Sequence, residues 1–303
     1  MSVSFDDGDQ WQSLRLNMPA TSIRDLVIKD ADLVVGTHGR GFWILDDISP
    51  LRQITPSVTA SAAYLFRPPV AWRFRWNKNT DTPLPPDEPA MPNPPDGVTV
   101  NYFLGPDVKG PVTLEIVEVD GPVVRRYSSD DPEPPPVDAP NLPDYWIRPT
   151  QRLAATPGLH RFVWDVRYPP PVTSFRYAIV AIRSNTPRSP HGVWVLPGTY
   201  QVRLTVGGQV YRQAVTVRMD PRVQTTMGDL TLQFTLSRTV NDLISQLAAL
   251  RPGASPERLA QIQQAYAPLP ALLRALQSAD ARPTIAQEAA VAVALERVRL
   301  LLM

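Results

Sequence analysis

Hydrophobic and polar residues alternate along much of the chain before Met219, and beyond it apolar residues recur at helical spacing. Alternation places successive side chains on opposite faces of a strand, so it predicts half-buried β-strands. The clearest alternating segments are 98–104, 112–117, 158–167, 196–206 and 210–217. Turn dipeptides, Asp120-Gly121 and Gly207-Gly208, separate some of them. The pattern predicts a mainly β chain with a C-terminal α-helical segment.

The segment 226–303 has the spacing of amphipathic helices. One helical face is marked by Val240, Leu243, Ile244, Leu247 and Leu250. Ser255 followed by Pro256 has the order of an N-cap and a first-turn proline. Thr284 with Gln287 fits a capping box. These signals predict a helical hairpin or bundle.

Changes in composition divide the chain into four parts. The predicted parts are 1–56, a proline-rich connector at 57–97, a β module at 98–219 with irregular insertions at about 128–157 and 168–195, and the helical region 226–303. Within the connector, 72–76 alternates tryptophan or phenylalanine with arginine. That run predicts a strand whose aromatic rings share one face.

The first part opens with the motif S-x-D-x-G-x-x-W, formed by Ser4, Asp6, Gly8 and Trp11. An aspartate in a turn accepts backbone N–H groups, and glycine adopts positive φ at little cost. All four positions resemble the Asp-box repeat of bacterial neuraminidases, some other glycoside hydrolases and sortilin-type β-propellers. The resemblance implies that 1–56 is a partial β-propeller, half a blade followed by the last blade. It also implies a scaffold role for Asp6, with a catalytic role as the alternative.

The unit 22–54 has the pattern of one complete blade. Its strands are expected at 23–28, 33–35, 42–45 and 49–54. The resemblance places its glycine-rich turn on the ligand side, with His38 and Arg40 as candidate ligand-binding residues. In the alternative interpretation, Arg40 pairs with Asp46 or Asp47. His38 then only caps the turn.

The β module 98–219 has a characteristic order of strands and turns. A strand, an Asp-Gly turn and a strand come first, then the segment 158–165 (GLHRFVWD), then Pro-Gly-Thr-Tyr at 197–200. This order resembles immunoglobulin-like and fibronectin-type modules, including that of flagellar hook-capping proteins, and implies an Ig-like β-sandwich. His160 and Trp164 stand four residues apart and share a strand face. Trp164 is predicted in the core and His160 at its rim.

Composition excludes several classes of function. The 30 basic and 29 acidic residues give a net charge of +1 without a basic stripe, so nucleic acid is not an expected partner. The absence of cysteine excludes disulfides, thiolate metal sites and cysteine catalysis. No apolar run approaches the roughly 20 residues of a membrane span, and no signal-peptide pattern is present. The propeller resemblance implies a secreted or periplasmic parent protein.

No motif for catalysis, metal or cofactor binding occurs in the sequence. G-x-S-x-G, the P-loop, the dinucleotide fingerprint, H-E-x-x-H and the EF-hand loop are all absent. The three histidines are too scattered for a metal site, so neither a metal nor a cofactor is expected. Asp6 with Asp7, and Asp46 with Asp47, are paired carboxylates of the kind that glycoside hydrolysis needs. If they lie in strands, neighbours point to opposite faces and neither pair converges on one sugar.

These patterns favour a non-catalytic function. We expect a structural or binding fragment of a large secreted Asp-box propeller protein that contacts a protein or carbohydrate partner. The alternative is a sialidase-like glycoside hydrolase whose active site is completed by missing blades or another chain. An unclosed propeller leaves an open blade edge, so self-association through that edge is expected. The aromatic residues expected to lack partners are Phe5, Trp11, Phe42 and Trp43.

Overall fold

The computed structural model describes residues 1–75, 96–133, 142–173, 176–177, 186 and 188–302. Strands make up 31% and helices 27%, so the protein is mainly β with helices towards its C-terminal end. Much of the proline-rich connector, including Trp76 and 83–95, lies outside the described residues. Parts of both expected insertions also lie outside them.

The N-terminal region folds into two small antiparallel sheets. Their strands are β1 (Ser2–Val3), β2 (Gln12–Ser13), β3 (Ile23–Lys29), β4 (Asp32–Thr37) and β5 (Phe42–Leu45). β1 pairs with β2, and β3, β4 and β5 form a meander in sequence order. A small core, composed of Met18, Leu33, Val35 and Ile48, is associated with the meander. Since stabilisation follows buried apolar area, this region has the weakest core of the three.

The expectation of a fourth blade strand at 49–54 is wrong. After Pro50 the chain forms a 3-10 turn at Leu51–Gln53 and then the short helix α1 (Pro56–Thr59). Pro50 has helical backbone angles, φ −62° and ψ −40°, and proline has no N–H to donate to a neighbouring strand. The meander therefore has three strands within the described residues.

The central region contains two larger sheets. Its strands are β6 (Ala63–Leu65), β7 (Ala71–Arg73), β8 (Val98–Leu104), β9 (Val112–Glu118), β10 (Val123–Ser128), β11 (Gly158–Trp164), β12 (Arg176–Tyr177), β13 (Arg188–Ser189), β14 (Gly198–Val206) and β15 (Gln209–Met219). One sheet has the order β10-β9-β14-β15-β7 and the other the order β11-β8-β6. β12 and β13 pair as a separate ribbon. Each larger sheet thus takes one strand from the segment expected to be a connector.

The two larger sheets contribute to one hydrophobic core, and the β structure curls into a half-barrel. Trp164 on β11 is fully buried, and its indole N–H donates to the carbonyl of Arg167 at 3.0 Å. His160, on the same strand face, is partly exposed and its ring lies 5.2 Å from that of Tyr102. The predicted core and rim positions of these two residues are confirmed.

The C-terminal region is helical, as predicted. Its helices are α2 (Met227–Ala249), α3 (Pro256–Tyr266), α4 (Leu269–Leu276) and α5 (Ile285–Leu302). The Ser255 hydroxyl accepts the N–H of Arg258 at 3.3 Å. Thr284 and Gln287 form a reciprocal capping box at 2.8 and 3.2 Å. Within the described residues, no helix is both long enough and apolar enough to cross a bilayer.

Replacing Trp164 by alanine should lower the free energy of unfolding by about 3–5 kcal/mol, because it removes a large buried side chain and leaves a cavity. Leu159→Ala on the same strand is the control, since Leu159 is half exposed. The control should cost less than about 1 kcal/mol. Equilibrium denaturation by urea measures both values. Equal losses for the two variants would contradict the core position of Trp164.

Candidate functional site

The turn between β1 and β2 is closed by its own side chains. The Ser4 hydroxyl donates to Oδ1 of Asp6 at 2.7 Å and accepts the N–H of Gly8 at 2.8 Å. Oδ1 of Asp6 also accepts the N–H of Gln10 at 2.9 Å. Gly8 has φ +103°, which favours glycine, and a Cβ there would lie 3.8 Å from the ring of Trp11. Ser4, Asp6 and Gly8 therefore take part in the turn, and the ring of Trp11 lies beside Gly8.

The electrostatics of Asp6 suit a scaffold. The hydrogen bond from the backbone of Gln10, followed by that from Ser4, lowers the pKa of the Asp6 carboxyl. A carboxyl with a lowered pKa is ionised at neutral pH, whereas a general acid must still hold its proton there. Asp6 is therefore suited to accepting hydrogen bonds and unsuited to donating a proton to a leaving group.

His38 and Arg40 lie at the tip of the loop that joins β4 to β5. The backbone of this loop is held by hydrogen bonds to neighbouring residues, three of them at His38 and Arg40. The N–H of His38 donates to the carbonyl of Ser22 at 2.9 Å, and its carbonyl accepts the hydroxyl of Thr21 at 3.1 Å. The carbonyl of Arg40 accepts the indole N–H of Trp43 at 3.0 Å. Both His38 and Arg40 are exposed, so the loop presents a basic tip on a well-held backbone.

Asp46 and Asp47 contact the central sheets. The Asn101 amide donates to Oδ2 of Asp47 at 2.9 Å. The Arg161 guanidinium donates to the carbonyls of Asp46 and Asp47 at 2.8 and 3.1 Å. Among the described residues, Arg161 takes the place expected for Arg40, although it binds carbonyls rather than carboxylates. These contacts join the end of the meander to β8 and β11.

Both aspartate pairs lie outside strands, so the expectation of strand alternation is wrong for them. Asp7 and Asp47 have φ of 57° and 54°, and Asp7 sits in a turn. Asp6 is held in its own turn, and Asp47 is held by Asn101. Among the described residues, no group of three His, Asp or Glu side chains could hold a metal ion.

Four aromatic side chains were expected to lack partners, and one of these, Trp43, has partners. Trp43 packs against the small core of the meander, and its indole N–H is bonded. Phe5 and Trp11 are exposed, and Phe42 is 76% exposed. Phe42 lies on the face of the meander opposite the small core, so this face remains apolar and open to solvent.

The most strongly organised polar cluster was not predicted, and it joins β7 to the helical region. Arg73 donates to Oδ1 of Asp280 at 2.5 Å, and both side chains are almost fully buried, at 3% and 4% exposed. Arg75 donates to Oδ2 of Asp280 at 2.7 Å. Of the strand predicted at 72–76, β7 includes only Trp72 and Arg73, of which Arg73 is buried and Trp72 is exposed. The local sequence does not indicate which of these side chains is buried, because the partner of Arg73, Asp280, is distant in sequence.

Trp194 extends this cluster towards the sheets. The Arg167 guanidinium stacks 3.7 Å from the centre of the Trp194 ring. Burial lowers the pKa of Arg167 to about 9, while the charge of Asp165 acts in the opposite direction. A cavity of about 10 Å³, lined in part by Arg73, Trp194 and Ser237, lies here. Such a volume holds about one water molecule, so the cluster is an internal support and has no room for a sugar.

Comparisons with known proteins offer no template for these residues. No protein-family model, curated protein or solved structure matches the chain. Its function is therefore inferred from its sequence motifs and from the geometry of its own residues.

Asp280→Asn should destabilise the protein by about 3–5 kcal/mol, because one partner of a buried ion pair is removed. Burial raises the pKa of Asp280, but hydrogen bonds and charges from Arg75 and Arg73 outweigh it, so the pKa lies below its usual value. A lowered pKa gives stability that is complete above the unfolded pKa, about 3.9, and is lost as the pH falls through the folded pKa.

The pH dependence of unfolding tests this role. The stability difference between wild type and Asp280→Asn should be constant from about pH 5 to 7 and should shrink below about pH 4. Glu296→Gln is the control, because its pair with Arg299 is 3.9 Å long and exposed. The control should change stability by less than about 1 kcal/mol. A difference between wild type and Asp280→Asn that does not change between pH 6 and pH 3 would contradict the assignment.

Proposed function

We propose that this chain is a non-catalytic structural and binding unit. It represents the C-terminal part of a large secreted Asp-box propeller protein, in which 98–219 forms an Ig-like β-sandwich. The observation that carries the non-catalytic role is that the Asp6 carboxylate is already hydrogen-bonded within its own turn. This carboxylate accepts the Ser4 hydroxyl and the Gln10 N–H, and its pKa is lowered. The Asp6 carboxylate therefore stabilises the turn through these hydrogen bonds.

The propeller and sandwich assignments have structural support. A propeller blade has four sequential antiparallel strands, and β3-β4-β5 supplies three of them, although many β proteins contain such meanders. Two sheets that share one core, with a buried tryptophan, are consistent with an Ig-like module. The motif residues Ser4, Asp6, Gly8 and Trp11 add the sequence resemblance.

A binding role has two exposed surfaces to use. The first is the basic loop tip, where His38 and Arg40 can contact an anionic group, since guanidinium groups bind carboxylates well. That chemistry fits an acidic sugar or an acidic protein side chain. The second is the edge of the meander, where the strand β3 is exposed from Arg24 to Lys29. An exposed strand edge is a template for another chain.

The alternative is a glycoside hydrolase completed by another chain, and one observation favours it. Burial, followed by the charge of Asp32, raises the pKa of the Asp46 carboxyl. A raised pKa is what a glycosidase acid requires. Glycosidases use a second carboxyl at about 5 to 10 Å across the sugar. The nearby Asp47 side chain is already bound by Asn101.

The purified chain should release no chromophore from aryl glycosides, including an aryl sialoside. The measurement is the initial rate at pH 4 to 8, with Asp46→Ala and Asp6→Ala as paired variants. Turnover that disappears in Asp46→Ala would overturn the proposal in favour of the glycosidase. Turnover that persists in both variants indicates a contaminant and is resolved by repurification. A rate equal to the buffer blank in all three proteins supports the non-catalytic role.

A further inference from the structure

The strand β3 is an open edge of the N-terminal meander. It is the terminal strand in the order β3-β4-β5, and every residue from Arg24 to Lys29 is exposed. Leu26, Val27 and Ile28 at its centre are 47%, 53% and 52% exposed. Three consecutive apolar residues on an unpaired edge form a surface that another strand can cover.

The backbone groups that face the open side can be identified. In an antiparallel sheet, alternate residues of a strand direct their N–H and C=O groups to the same neighbour. The N–H of Leu26 donates to Oδ1 of Asp25 at 2.8 Å. Leu26 therefore faces away from β4, and Ile28, two residues further on, faces the same way. The Asp25 carboxylate, on the same strand, thus accepts the N–H of Leu26 that a neighbouring strand would otherwise accept.

We propose that two copies of this chain pair antiparallel through β3, with Val27 on the two-fold axis. This inference rests on the proposed binding role and names a second copy as the partner. Leu26 of each copy lies opposite Ile28 of the other, so the outward N–H and C=O groups of both strands pair. Such an interface is isologous, because the same patch is used by both copies. The two meanders then join into one continuous sheet.

Charge complementarity selects this register. With Val27 on the axis, Asp25 of each copy lies opposite Lys29 of the other, which gives two opposite-charge pairs. A shift of two residues in either direction leaves both charges opposite apolar residues. A shift of one residue sets Arg24 opposite Lys29, or Asp25 opposite Asp30, and these are like charges.

The groups involved are free to make these pairs. Lys29 contacts Asp30 at 3.3 Å, but both side chains are about four-fifths exposed, at 78% and 83%. A pair so exposed contributes little, so exchanging it costs little. Asp25 gives up its bond to the Leu26 N–H, which then donates to the carbonyl of Ile28 in the second copy. Lysine on a strand edge normally opposes pairing, and here it meets an aspartate.

A single introduced cysteine tests the axis directly, because the natural chain has none. In a non-hydrogen-bonded antiparallel pair the Cα atoms lie about 4.5 Å apart, within the range that a disulfide spans. Val27→Cys should therefore form a cross-linked dimer under mild oxidation. Ile44→Cys is the matched control, since Ile44 on β5 is 51% exposed on the same face of the meander.

The cross-linked fraction of Val27→Cys should exceed that of Ile44→Cys by at least about tenfold, because pairing raises the effective thiol concentration. Circular dichroism confirms that both variants are folded. Equal cross-linking of the two variants, or a folded Val27→Cys that remains monomeric, would overturn the proposal. Cross-linking of Val27→Cys alone supports it.

A charge exchange tests the register. Asp25→Lys and Lys29→Asp should each weaken dimerisation in sedimentation velocity by at least about tenfold, because each sets like charges opposite each other. The double variant Asp25→Lys with Lys29→Asp should recover most of the wild-type dimer. Failure of the double variant to recover it would refute this register. A monomeric wild type without glycosidase activity would refute the pairing and leave the non-catalytic role standing.

Discussion

The buried contact between Asp280 and two arginines is the constraint on which the arrangement of sheets and helices depends. A carboxylate that leaves water loses its hydration and needs close compensation from charge and hydrogen bonds. Arg73 and Arg75 supply both, and they lie on or just after β7. The helical region is therefore held in one position on the sheet, since a displaced Asp280 would leave buried charges unpaired. Apolar packing alone would tolerate more variation in that position.

Local signals predicted much of the fold. The strands of the central region follow alternation, and the caps at Ser255 and Thr284 follow side-chain chemistry within four residues. Non-local choices were not predictable in this way. The alternation at 72–75 is equally compatible with aromatic or basic residues facing inward. Asp280 decides between them, and it lies 207 residues from Arg73 in sequence. Pro50 has helical backbone angles and no N–H to donate, so the expected fourth strand does not form.

For the candidate site too, local features could be predicted from the sequence and non-local contacts could not. The pattern located the turn of Asp6 and the hairpin loop of His38 and Arg40, because both are local. It did not identify the partner of the aspartates after β5, since many arginines could serve. The structure uses Arg161, which lies opposite Asn101 in the β11–β8 pair. The two residues together bind the backbone of residues 46–47 and the carboxylate of Asp47.

The two ends of the meander differ in a way that bears on its role. The residues that follow β5 are bound by Asn101 and Arg161, whereas among the described residues the outward N–H of Leu26 on the β3 edge is bonded to the Asp25 carboxylate. A catalytic site needs side chains held by a packed surrounding shell. The small core around Leu33 and Val35 provides little of that shell. An edge that offers apolar side chains and unpaired backbone groups is instead suited to contact with another strand, since pairing supplies the partners that the small core cannot.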